Sequence, residues 1–167
     1  MSMTIPGGIK EVELSGFKSV KHELLPMSNL NIFIGANGSG KSNFISLFQM
    51  MQFYLGSSDG LDEFVGRSGG SEYILHYGSK ITDTIKARLT MLTKTGINEY
   101  IAELGYALGD KLFFKNELVS YTHSGKDSGP QIPLGSGNKS SRLLQIGTDD
   151  HEYEKCGRTI STIRFLF

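Results

Sequence analysis

The residues best suited to chemistry form one run, Gly35-Ala36-Asn37-Gly38-Ser39-Gly40-Lys41-Ser42, which fits G-x-x-x-x-G-K-[ST] at every fixed position. Glycines at 35, 38 and 40 open backbone conformations closed to other residues, so successive N–H groups can point into one concavity and hold phosphate oxygens. A helix starting at that concavity adds the partial positive charge of its N-terminus. Lys41 would then reach the β- and γ-phosphates, and the Ser42 hydroxyl would be a ligand of the Mg²⁺ that bridges them. The implied ligand is a nucleoside triphosphate with magnesium. The bland alternative, a glycine-rich turn, does not account for the strand and helix patterns on either side.

Other reactive side chains offer less. His22, His76, His123, His151 and the single cysteine, Cys156, lack metal-ligand spacing. Serines are too numerous for a nucleophile, base and orienter to be matched by spacing. Tyr100, Tyr106, Phe113 and Phe114 could stack on bases, but aromatics at strand spacing read first as packing. Asp149 to Lys155 reads as a mixed-charge surface stretch.

The elements that must position the loop follow from periodicity. Ile9 to Phe17 alternates Val12 and Leu14 against Glu11 and Glu13, the pattern of a half-buried strand. A second strand is expected from Val20 to Leu25, ending at Pro26. Leu30 to Ile34 is apolar at four of five positions, which predicts a strand buried on both faces and feeding the loop. From Lys41 to Leu55, the residues Phe44, Ile45, Phe48, Met51 and Leu55 fall at helical spacing, and Gly56-Ser57-Ser58 supplies a stop.

Beyond the helix the pattern changes. Thr84–Leu92, Asn98–Leu108 and Lys111–Tyr121 alternate and are separated by turns at Lys94–Gly96 and Gly109-Asp110, which predicts a three-stranded antiparallel meander. Gly/Ser clusters at 56–60, 66–71 and 124–141 read as loops, the last of them flexible. Leu143–Ile146 and Thr159–Phe167 are expected to be one strand and the start of another element. The expected division is a strand-helix unit over 1–56, a linker with short elements over 57–80, a β-meander over 81–121, a loop over 122–141 and a cut-off end over 142–167.

Composition sets outer limits. Seventeen basic and seventeen acidic residues among 167 give zero formal net charge, so DNA finds no support as a partner in the charge. No apolar run approaches the ~20 residues of a membrane span, and Met1–Gly8 lacks the apolar stretch of an export signal. With one cysteine and no internal disulfide, a cytoplasmic protein that does not engage membranes is expected.

The pair Gly16-Phe17-Lys18-Ser19 and Leu30-Asn31-Ile32-Phe33-Ile34-Gly35 through Lys41-Ser42-Asn43 closely resembles the opening of ABC-type P-loop ATPases of the RecF and structural-maintenance-of-chromosomes group. Phe64-Val65-Gly66-Arg67-Ser68-Gly69-Gly70 and Ile74-Leu75-His76-Tyr77-Gly78 look like its bacterial predicted AAA-type ATPase branch. The resemblance implies an α/β fold with α+β character: a P-loop NTPase lobe with a strand-loop-helix nucleotide site and an inserted antiparallel β-subdomain. It also implies that residues 35 to 43 wrap the nucleotide, that Asn37 faces the γ-phosphate, and that Lys18 and Ser19 lie beside it. A solvated strand end is an equal alternative for Lys18.

The group hydrolyses ATP with a Walker B strand ending in Asp-Glu and a signature loop from the partner subunit. Leu61-Asp62-Glu63 follows the stretch Ser57–Gly60, which cannot be a buried strand, and Ser68-Gly69-Gly70 falls too soon after Ser42 to serve as the signature. Neither Gln131 nor Gln145 can be assigned as a Gln-loop residue. The expectation is therefore an N-terminal lobe that binds ATP and Mg²⁺, carries no catalytic residue of its own, and dimerises with ATP as part of a longer chain acting in DNA repair, DNA maintenance or defence. A P-loop kinase or other phosphotransferase, and a non-catalytic module that binds nucleotide weakly, are the alternatives.

Overall fold

The computed structural model describes residues 8–146. Alternating apolar residues make β1 (Ile9–Phe17), β2 (Val20–Pro26) pairs back along it, and the Gly35–Gly40 loop leads into α1 (Lys41–Gly56). Then come α2 (Gly60–Arg67), β3 (Thr84–Leu92), β4 (Gly96–Ala107), β5 (Lys111–His123) and β6 (Gln131–Gly135). Single 3-10 turns sit at Ser71–Tyr73 and Arg142–Leu144. The strands form one six-stranded sheet in the order β2-β1-β3-β4-β5-β6, with every neighbouring pair antiparallel. The fold is thus a mixed α/β arrangement of an antiparallel sheet with two helices.

Strand period puts one face of the sheet in the core. Val12 and Leu14 of β1, Ile85, Ala87 and Leu89 of β3, and Tyr100, Ala102 and Leu104 of β4 are buried in one cluster with Leu47, Met50, Met51 and Tyr54 of α1 and Leu61, Phe64 and Val65 of α2. The opposite face carries charge. Arg88 lies opposite Glu13 in the β1–β3 register and pairs with it at 2.8 Å, while Lys86 pairs with Glu103 across β3–β4 at 3.2 Å. Partly exposed pairs of this kind contribute a few tenths of a kcal/mol each and mainly fix register.

The meander prediction holds for β3, β4 and β5, but these strands are not a separate subdomain. β3 pairs directly with β1 from Ile9↔Met91 to Ser15↔Lys86, so meander and N-terminal hairpin share one sheet. The predicted strand at Leu30–Ile34 does not form: Leu30, Ile32 and Ile34 are 75%, 74% and 91% exposed. A strand with apolar residues on both faces needs neighbours on both sides. Among the described residues no strand is placed to pair with this one.

The remaining differences are local. The 57–80 stretch holds a true helix, α2, whose Gly60 allows it to meet α1: a Cβ there would lie 1.8 Å from the Phe53 carbonyl oxygen. Leu61-Asp62-Glu63 is therefore helical and cannot be a Walker B strand. The predicted loop at 122–141 contains β6, which adds to β5 through Ser120↔Gln131 and Val119↔Ile132. β6 is an edge strand, where Pro133 is tolerated. Leu143–Ile146 is not a strand but follows from the Arg142–Leu144 turn. Thr159–Phe167, Asp149–Lys155, His151 and Cys156 lie outside the described residues.

Gly16 marks a place where the sheet leaves little room. It has φ 71°, and a Cβ there would lie 2.3 Å from the Thr84 carbonyl oxygen. Gly16→Ala should destabilise the protein by about 2 kcal/mol, from the left-handed backbone and the displaced β3 start. Urea unfolding followed by far-UV circular dichroism measures it.

Candidate functional site

The loop between Met27 and α1 is organised by its own side chains. Asn31 closes a turn with Ser28, accepting the Ser28 N–H at Oδ1 (3.0 Å) and donating Nδ2–H to the Ser28 carbonyl (2.8 Å). Phe33 packs on Phe44 with ring centroids 4.8 Å apart and ties the loop entry to α1. Gly38 and Gly40 then take φ values of 83° and 92°, which only glycine adopts freely.

The helix that follows is open at its start. α1 runs for 16 residues from Lys41, its N-cap is Gly40 with no capping side chain, and no acidic residue stands in its first turn. Among the described residues, no hydrogen bond occupies the N–H groups of Gly38, Gly40, Lys41 or Ser42. Unpaired N–H groups and an uncapped helix dipole together favour an anion. Residues Asn37 to Asn43 line a concavity of about 330 Å³ at this point.

Lys41 folds back over the loop. Its Nζ donates to the carbonyl oxygens of Gly35 (2.8 Å) and Ala36 (2.7 Å), with Ser39 Oγ at 3.3 Å. The amine is exposed and stands over the acceptors of its own loop, where phosphate oxygens could replace them. A second cleft of about 340 Å³ adjoins the first, with Gly40 and Lys41 in its wall beside Leu14, Val20, Leu25 and Phe33.

The two residues at the β1–β2 turn part company. Ser19 turns to the loop: its Oγ accepts the Asn43 Nδ2–H at 2.7 Å and would lie 3.1 Å from a Cβ on Gly40. Lys18 turns to the second turn of α1. Its Nζ donates to Ser46 Oγ at 2.7 Å and stands over the rings of Phe17 and Phe64, 5.6 and 5.9 Å from their centroids. Burial lowers its pKa below the usual lysine range. Ser46 lies four residues beyond Ser42, one helical turn below it on the same face.

Residues 35 to 43 and Ser19 thus share one place, while the Lys18 amine is directed to Ser46. Sequence reasoning missed Ser46 and His76, which holds the Lys18 carbonyl at 2.8 Å. Nothing in their spacing announces these contacts. The donor set of the concavity fits a phosphate chain with Mg²⁺: backbone N–H groups, one lysine amine, one serine hydroxyl and no carboxylate among residues 37 to 43. Among the described residues, no group of three or more His, Cys, Asp and Glu side chains is placed to hold a metal ion, and no helix is long and apolar enough to cross a membrane.

A family model described as AAA ATPase domain matches residues 8–132, well over half of the chain. The match takes in β1 through β5, both helices and the whole concavity. No curated protein matches the chain. Both the match and the geometry lead to one conclusion: this chain belongs to the AAA ATPase domain family, a family of nucleotide-binding ATPases.

Proposed function

We propose that the chain is the ATP- and Mg²⁺-binding N-terminal lobe of an ABC-type ATPase of the RecF and structural-maintenance-of-chromosomes group, cytoplasmic and acting in DNA repair, DNA maintenance or defence. One observation carries the nucleotide assignment: an uncapped 16-residue helix opens onto a loop whose glycines, lysine and serine surround one concavity. When bound, Mg²⁺ would neutralise charge on the phosphates, with Ser42 as its protein ligand. The backbone N–H groups of Gly38, Gly40, Lys41 and Ser42 would fix the phosphate chain, and Lys41 would leave the carbonyls of Gly35 and Ala36 to meet the terminal phosphates.

Two features support a lobe that binds nucleotide and relies on further residues for hydrolysis. No carboxylate lines the concavity to polarise a water. The exposed apolar segment Leu30–Ile34 has the composition of a strand that takes its neighbours from another part of the assembly. ATP would join two such subunits in the whole protein. A P-loop kinase would be built on a parallel sheet, whereas every pairing among the described residues is antiparallel.

Calorimetric titration with Mg·ATP tests the assignment, and a flat titration of the folded chain would favour a module without nucleotide affinity. Ser42→Ala should leave binding of ATP without metal nearly unchanged and remove the gain on adding Mg²⁺, about tenfold in affinity. An equal loss with and without Mg²⁺ would take Ser42 out of the metal's coordination.

A further inference from the structure

The turn between β1 and β2 is held from outside the nucleotide site. Gly16 at the end of β1 and Lys18 in the turn are left-handed, with φ 71° and 49°, and for a lysine that conformation needs support from its surroundings. The segment 74–76 supplies it. The Lys18 N–H donates to the Ile74 carbonyl at 2.7 Å, and the His76 N–H donates to the Gly16 carbonyl at 3.0 Å. The His76 ring then closes the contact, with Nδ1 at 2.8 Å from the Lys18 carbonyl oxygen. A carbonyl only accepts, so Nδ1 carries the proton.

His76 is itself fixed. It is 8% exposed, its carbonyl accepts the Thr82 Oγ1–H at 2.6 Å, and the ring of Tyr77 lies 4.3 Å from its own. The residue after Lys18 is Ser19, whose hydroxyl accepts from Asn43 and abuts Gly40. Consecutive residues of one turn therefore join His76 to the last glycine of the phosphate loop. The Lys18 carbonyl faces His76, and the Ser19 hydroxyl faces the loop.

We propose that His76 is a positioning residue for nucleotide binding: its Nδ1–H holds the Lys18 carbonyl and thereby sets Ser19 against Gly40 and Asn43, fixing the shape of the phosphate concavity. The role rests on the reading of that concavity as a nucleotide site. It is geometric and moves no proton, since charged and Nδ1-protonated neutral imidazole both donate from Nδ1. An asparagine at 76 offers Nδ2–H at the same number of bonds from Cα as Nδ1. A phenylalanine keeps the ring and offers no donor.

The test compares His76→Phe, His76→Asn, Ser19→Ala and the double variant His76→Phe/Ser19→Ala. Two readouts apply: the amide resonances of Ser19, Gly40 and Lys41 in the ligand-free protein, and Mg·ATP affinity by calorimetry. His76→Phe should shift those resonances and weaken Mg·ATP binding by about tenfold, the scale of one lost buried hydrogen bond. His76→Asn should restore binding to within about threefold. Adding Ser19→Ala to His76→Phe should cost little beyond either alone, because the two act in series.

Unmoved Ser19 and Gly40 resonances in a folded His76→Phe protein would overturn the proposal, as would an additive double variant. If His76→Phe does not fold, His76→Leu, which also lacks a donor, replaces it under the same two outcomes. If the unmodified chain binds no Mg·ATP, the nucleotide reading fails, and the ligand-free resonances still decide whether His76 shapes the loop.

Discussion

Lys41→Ala should weaken Mg·ATP binding by about a hundredfold while leaving the fold intact. The amine is exposed and bonded to loop acceptors alone, so its removal takes nothing from the core. A hydrogen bond between a charged donor and a phosphate contributes roughly 1.5–3 kcal/mol, and an ammonium that reaches two phosphates takes the upper end, which is about two decades in affinity. Lys41→Arg should not recover it, because a bulky planar guanidinium does not replace the compact ammonium that would meet the phosphates. Calorimetry gives the affinity, and thermal unfolding should move by no more than about 2 °C.

The largest effect on stability is expected at Glu117, far from the nucleotide loop. This carboxylate is fully buried and is the acceptor for three groups: the Tyr100 hydroxyl at 2.8 Å, the Ser141 hydroxyl at 2.5 Å and the Arg142 N–H at 2.7 Å. It ties the chain after β6 to the centre of the sheet. Glu117→Ala takes the acceptor from all three and opens a cavity. At about 1–3 kcal/mol for each orphaned buried group, with partial relaxation, the loss should be about 4 kcal/mol, or roughly 10 °C in Tm.

Glu117→Gln should behave in the opposite way. Burial raises the Glu117 pKa above the usual carboxylate value, against the smaller lowering effects of Ser141, Arg142 and Tyr100. A raised folded-state pKa means the folded protein holds the proton more tightly than the unfolded chain. The associated stability is present below the ordinary carboxylate range and is lost as pH rises through the raised value. A glutamine imitates the protonated acid: its oxygen can accept from Arg142, and its amide can donate to the two hydroxyls, which reorient. The variant should therefore be at least as stable as the parent at neutral pH, and this part of the pH dependence should vanish. The chain has no tryptophan, so far-UV circular dichroism is the signal of choice.

How far the sequence spoke for the fold varies with the physics of each element. β1, β3, β4 and β5 were legible because each buries one face, and alternation is a strong signature of that state. The phase of α1 was not. Apolar residues surround it, so spacing suggested Ile45 as a core residue, whereas Ile45 is 58% exposed and Leu47, Met50 and Tyr54 are buried. α2 was hidden because its glycines at 60 and 66 read as loop, although Gly60 is there to let two helices approach. β6 was hidden by Pro133, acceptable only because the strand lies at the edge.

The candidate site divides in the same way. Gly35 to Ser42 was readable because its parts are contiguous, and a loop that wraps an anion with its own backbone must be contiguous. The supports are tertiary. Ser46 meets Lys18 across 28 residues and His76 meets it across 58, and no local pattern records such a meeting. Leu30–Ile34 was misread for a related reason: its composition describes a strand with two neighbours, and composition cannot say where the neighbours come from.

The most direct test of nucleotide binding at this loop is to follow the backbone amide resonances of the chain during titration with Mg·ATP. Saturable shifts centred on Gly38, Gly40, Lys41 and Ser42 are expected, with smaller ones at Ser19, and their loss in Lys41→Ala. Saturable shifts confined to another surface, or none at these residues at millimolar Mg·ATP, would contradict it.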